Sequence, residues 1–228
     1  MLSTAYCEIR SCANDDRGVA NSDRRLITCP GRVKRPAQSR VARQLLHSLL
    51  QRDQLSSPSM HLVQEPDGRP KLYCDNRPSA IAISLSHSRR IAACAMTDLG
   101  SIGIDVEFCA DRPVEELAAI AFGPEEQHAV ARGGLRAFYR IWTMREALVM
   151  ASRTAAARMT DDCDYFACPP TSGGWCTVLD NQPWVFWSGF LSGNYAFAVA
   201  LAPQSSTSFP DSLAFEVEQF SFTTLMPG

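Results

Sequence analysis

The stretch "GSIGIDVEF", residues 100 to 108, decides how the chain is read. Ile102, Ile104 and Val106 alternate with other residues, the period of a strand with one buried face. Successive strand side chains point to opposite faces, so Asp105 and Glu107 share the second face. Like charges side by side cost stability unless they share a cation. The rest of the chain has to say which cation, and for what.

Composition sets the frame for that question. The chain has 228 residues, 46% hydrophobic and 20% charged, enough apolar material for the core of a soluble globular protein. Such a length fits one large domain or two small lobes. A net charge of -2 argues against general nucleic-acid affinity. Positive charge is nevertheless concentrated at Arg24, Arg25, Arg32, Lys34, Arg35, Arg40 and Arg43. Such a run is either a solvated helix face or a pocket for a multiply phosphorylated ligand.

The nine cysteines form no CxxC pair, and no histidine stands near Cys163, Cys168 and Cys176 at zinc-site spacing. They read as free thiols in a reducing compartment. The N-terminal residues lack the basic start and apolar core of a signal peptide, and no apolar run approaches membrane-spanning length. The expected location is the cytoplasm.

Working outward, "PAQSRVARQLLHSLLQR" (36–52) predicts a helix opened by Pro36. Val41, Leu45 and Leu49 form its apolar stripe, with Arg40, Arg43 and His47 on another face. A turn-rich loop leads to two predicted strands, "IAISLSHS" and "RIAACAMT". After the strand of residues 100–108 come one or two short helices broken near Gly123 and Pro124, then the strongest helix, "LRAFYRIWTMREALVMAS". A closing hairpin, "VFWSGFLSGNYAFAVALA", follows the design of the first one. The order predicts an α+β protein of two similar lobes, with an irregular tail and an edge strand in "LAFEVEQF".

The chemistry-bearing residues lie at fixed order along this plan. Asp105 and Glu107 on one strand face, with Glu146 from the long helix, would offer a magnesium ion three hard oxygen ligands. His87, read as sitting in a tight turn between Ser86 and Ser88, suits phosphate, because hydroxyls, turn amides and imidazole all donate. No G-x-S-x-G, Walker loop or G-x-G-x-x-G after a strand is present. A metal-dependent phosphodiesterase would pair its D-x-E strand with an E-x-K strand, and none follows here.

Three segments together, "GRP" (68–70), "SLSHS" (84–88) with "GIDVE" (103–107), and "FYRIWTMREALVMA" (138–151), resemble the signatures of the Sfp-type 4'-phosphopantetheinyl transferases. The resemblance spans about residues 40 to 151 by motif. It implies a pseudo-dimer of two similar α+β lobes, residues 1–103 and 104–228, with the active site in the cleft between them. It implies a transferase that moves the 4'-phosphopantetheine arm of coenzyme A to a serine of an apo acyl or peptidyl carrier protein. Adenosine 3',5'-bisphosphate is the other product.

The resemblance assigns Mg²⁺ to Asp105, Glu107 and Glu146, with Glu146 also the candidate base. It assigns coenzyme A to Ser86, His87, Arg69, Arg40, Arg43 and Arg145. The expected state is a monomer that binds neither nucleic acid nor membrane. The chain departs from the family pattern at Arg145, where a lysine is usual, and at Met150, where a second lysine would share the face of Glu146. Either Arg153 or Arg158 substitutes for that missing cation, or the enzyme is slow or specialised for one carrier. A degenerate paralogue that binds coenzyme A or a carrier without efficient transfer is the alternative.

Overall fold

The computed structural model describes residues 2–8, 35–66, 68–152, 166, 174–179, 181–191, 194–204 and 217–220. The basic residues Arg24, Arg25, Arg32 and Lys34, the thiols Cys163 and Cys168, and Arg153 and Arg158 lie outside them.

Along the first part of the chain run strand β1 (Leu2–Glu8), helix α1 (Arg35–Arg52), and strands β2 (Met60–Gln64), β3 (Pro70–Cys74), β4 (Arg77–Pro78), β5 (Ala82–Ser88) and β6 (Ile91–Thr97). The i, i+3, i+4 stripe of α1 buries Val41, Ala42, Leu45, Leu46, Leu49 and Leu50, while Arg40, Arg43 and His47 stay exposed. That stripe packs on Ala92, Cys94 and Met96 of β6, one face of a sheet ordered β11-β1-β6-β5. Strands β2, β3 and β4 form a small separate sheet that adds Leu72 to the same core.

The second part comprises β7 (Gly100–Phe108), α2 (Val114–Ala121), α3 (Pro124–Ala151), β8 (Gly174–Leu179), β9 (Gln182–Leu191), β10 (Tyr195–Pro203) and β11 (Val217–Phe220). The second sheet has the order β7-β10-β9-β8. Gly134, at φ 58°, breaks the helical path within α3, and residues beyond it carry the long apolar stripe anticipated above. β11, late in the sequence, pairs in parallel with β1 in the first sheet, so the sheets do not divide the chain at one point. Among the described residues no helix is long and apolar enough to cross a membrane.

Alternation explains how the two sheets meet. Ile102, Ile104 and Val106 of β7 and Val199 and Leu201 of β10 pack against Ile91, Ala93 and Ala95 of β6. The opposite face of the second sheet carries Ala196, Ala198, Ala200 and Ala202, small side chains on which α3 lies close. At Gly103 the approach is closest: a Cβ there would stand 2.0 Å from the Ala147 carbonyl oxygen and 2.6 Å from the Ala151 nitrogen. The glycine of "GIDVE" therefore lets the helix bearing Glu146 settle against the strand bearing Asp105 and Glu107.

Candidate active site

Asp105 and Glu107 lie on the face of β7 that α3 covers, as the alternation predicts. Asp105 is only 7% exposed, and Glu107 and Glu146 are half-buried. Burial, then the charge of Glu107, and more weakly that of Glu146, push the Asp105 carboxyl up to about 7, against the pull of its Ser86 hydrogen bond. Burial first and Glu107 second also raise Glu146. The three acids thus feel one another, across an interface set by Gly103.

A serine ladder holds the strand end. The Ser84, Ser86 and Ser88 hydroxyls of β5 accept the backbone N–H groups of Ile104, Val106 and Phe108 at 3.1, 3.2 and 3.1 Å. These are N–H groups that β7, as the outermost strand of its sheet, would otherwise leave unpaired. Ser86 then donates its proton to Asp105 Oδ1 at 2.9 Å, and Ser88 donates to Glu107 Oε2 at 2.7 Å.

This corrects the placement of His87 in a tight turn between Ser86 and Ser88, and agrees with the reading of "IAISLSHS" as a strand. "SLSHS" is strand throughout, and the turn follows at Arg89, which adopts φ 46°. Ser86, which the resemblance assigns to coenzyme A, gives its one hydroxyl proton to Asp105 in a buried position. The signal was present as serines spaced by two, matching the two-residue period of Ile104, Val106 and Phe108.

The residues are suited to a hard cation. Asp105 Oδ2 is buried with no hydrogen-bond partner among the described residues, and burial and Glu107 outweigh the hydrogen bonds that would hold the carboxyl down. No three His, Cys, Asp or Glu side chains among the described residues are gathered tightly enough to form a metal-holding group. The expectation of three assembled ligands is thus not met as a ready-made cage. Mutual repulsion of unneutralised carboxylates opposes such a cage. Magnesium does not require one, since it is commonly held by one or two carboxylates plus water and substrate phosphate.

Residues 101–200, which contain all of β7 but its first residue and the whole of α3, match the family model of the 4'-phosphopantetheinyl transferase superfamily. The match takes in 100 of the 228 residues. It is also similar to the 4'-phosphopantetheinyl transferase HetI of Nostoc sp., with 31% identity over 104 residues. That alignment takes in 42% of this chain and 43% of the relative, so the chain spans less than half the length of the relative it matches.

Measured against the superfamily reading, the cations are distributed unexpectedly. Arg69 of "GRP" sends its guanidinium to the end of α3, donating to the carbonyl oxygens of Val149, Met150 and Ser152 at 3.2, 3.2 and 2.8 Å. It caps a helix whose last carbonyls have no intrahelical partners. Arg145 donates to the Ala121 carbonyl at 2.9 Å and forms a buried ion pair with Glu126, whose second oxygen accepts the Phe166 N–H. The phosphate-facing role expected of Arg145 conflicts with that engagement, because leaving would strand the fully buried Glu126 charge.

His87 alternates to the face opposite Ser86 and Ser88, the side of the first sheet covered by α1. Gln38 of α1 donates to the Arg89 carbonyl at 2.7 Å, tying the start of that helix to the turn after His87. The structure therefore places His87, Arg40 and Arg43 on one side of the first sheet. The carboxylates lie by its other side.

Proposed function

We propose that this protein is a transferase that moves the 4'-phosphopantetheine arm of coenzyme A to a serine of an apo acyl or peptidyl carrier protein, releasing adenosine 3',5'-bisphosphate. The observation that carries this reading is that α3, which bears Glu146, packs on the face of β7 that bears Asp105 and Glu107, inside the segment that matches the superfamily. Two four-stranded sheets, each with a helix on one face, support its description as a pseudo-dimer whose active site lies where the sheets meet. Lobes joined in one chain make a monomer sufficient, and reduced thiols at Cys74, Cys94 and Cys109 suit the cytoplasm.

In this reading Asp105, through the Oδ2 that has no partner among the described residues, and Glu107 would hold Mg²⁺, with Glu146 alongside. When bound, the ion neutralises charge on the pyrophosphate of coenzyme A. Glu146, made more basic by burial, accepts the proton of the carrier serine. The serine oxygen then bonds to the phosphorus carrying the arm, and the bond from that phosphorus to the bridging oxygen breaks. The bisphosphate leaves with that oxygen. His87, Arg40 and Arg43 bind the phosphates of coenzyme A from the α1 side.

A second reading, binding of coenzyme A or a carrier without efficient transfer, is favoured by the engagement of Arg69 and Arg145 and by Met150. The readings separate in one incubation with coenzyme A, MgCl₂ and apo carrier protein, followed by chromatography of the nucleotides. Carrier-dependent release of adenosine 3',5'-bisphosphate supports transfer. Coenzyme A binding by calorimetry with no release would support the second reading instead.

A further inference from the structure

The three rungs of the serine ladder are not equivalent. Each hydroxyl accepts one N–H of β7, so each contributes the same backbone tie between the sheets. A hydroxyl has one proton to give, and once its oxygen is turned toward an N–H the donating direction is restricted. Ser86 and Ser88 spend that proton on Asp105 Oδ1 and Glu107 Oε2. Ser84 stands one step earlier, where the corresponding residue of β7 is Gly103, a residue with no carboxylate to receive its proton. The fold thus contains its own comparison: one rung that only ties the sheets, and two that also hold an acid.

Resting on the superfamily reading of the carboxylates, we propose that Ser86 and Ser88 are positioning residues that fix Asp105 and Glu107 for the cation. Each hydroxyl occupies one oxygen of its carboxylate and leaves the second for the ion. At Asp105 the second oxygen is the buried Oδ2, which has no partner among the described residues. A rotating carboxylate would spread its charge over several orientations; a pinned one presents the same oxygen each time. Groups that orient metal ligands from behind are worth roughly 10–100-fold in metal affinity.

The proposal separates the strand's stability from its ion binding. Magnesium binding to the isolated protein is measured by calorimetry and by the rise of Tm with MgCl₂, with no substrate present. Wild type and Ser84→Ala should bind with equal affinity, although Ser84→Ala lowers Tm by losing a rung. Ser88→Ala and Ser86→Ala should weaken magnesium binding about tenfold, and Ser88→Thr, which keeps the hydroxyl, should restore it. Ser88 is half-buried, so its alanine variant is the one expected to stay folded if Ser86→Ala does not. Wild-type affinity in Ser88→Ala would overturn the proposal and leave the metal-site reading standing. Absence of any magnesium response in wild type would overturn both.

Discussion

Asp105 holds its proton to about 7 in the folded protein, whereas a carboxyl in the unfolded chain gives it up near 4. Between those values the folded state carries the extra proton, so stability contributed by this group falls as pH rises through the window. The expected loss in ion-free protein is on the order of a few kcal/mol. Thermal melts from pH 4 to 8 should show a decline in wild type that flattens in Asp105→Asn, and added Mg²⁺ should recover most Tm at the alkaline end. Met150 is the other residue that decides. It lies one helical turn beyond Glu146, where a cation would reach the same phosphates. Met150→Lys should raise coenzyme A affinity or turnover about tenfold, the worth of one charged hydrogen bond. Unchanged values for both would show that the position does not limit the protein.

At the scale of elements, two contacts set where α3 stands. Gly103→Ala would place a methyl group 2.0 Å from the Ala147 carbonyl oxygen, so α3 must shift or the strand must bend. A Tm loss equivalent to several kcal/mol is expected, together with faster amide exchange in residues 143–151. Arg69→Gln should cost about 1–3 kcal/mol by uncapping the helix. Arg69→Lys should recover little of this, because an ammonium cannot bridge three carbonyls as the guanidinium fork does. These elements were legible in the sequence to different degrees. Period and punctuation disclosed α1, the β5–β6 hairpin and the break at Gly123 and Pro124, because local propensity and tertiary packing agree there. The sequence places His87 in a turn because serine and histidine suit turns as well as strands, although "IAISLSHS" also reads as a strand. Its pairing with β6 makes it a strand, and its serines then meet the distant row of N–H groups on β7. Likewise, nothing near Arg69 or Arg145 in sequence names a helix end or Glu126 as partner, since those contacts join residues dozens of positions apart or on another turn of the fold.

Across the whole molecule, the site depends on three elements from both halves of the sequence: β5 braces β7, and β7 receives α3. β11 closes this arrangement from the far end of the chain by pairing with β1. The shared face of Asp105 and Glu107 could be read from the two-residue period of a strand, whereas the role proposed for them comes from the resemblance. The serine rungs and the commitments of Arg69 and Arg145 required the fold. The central claim is that this assembly transfers a phosphopantetheine arm, and intact-mass measurement of a carrier protein tests it most directly. After incubation with wild-type protein, coenzyme A and Mg²⁺, the apo carrier should gain the mass of the arm. The gain should vanish with a chelator, with Asp105→Asn and with Glu146→Gln. No gain on fatty-acid, polyketide or peptide-synthesis carriers would contradict the account.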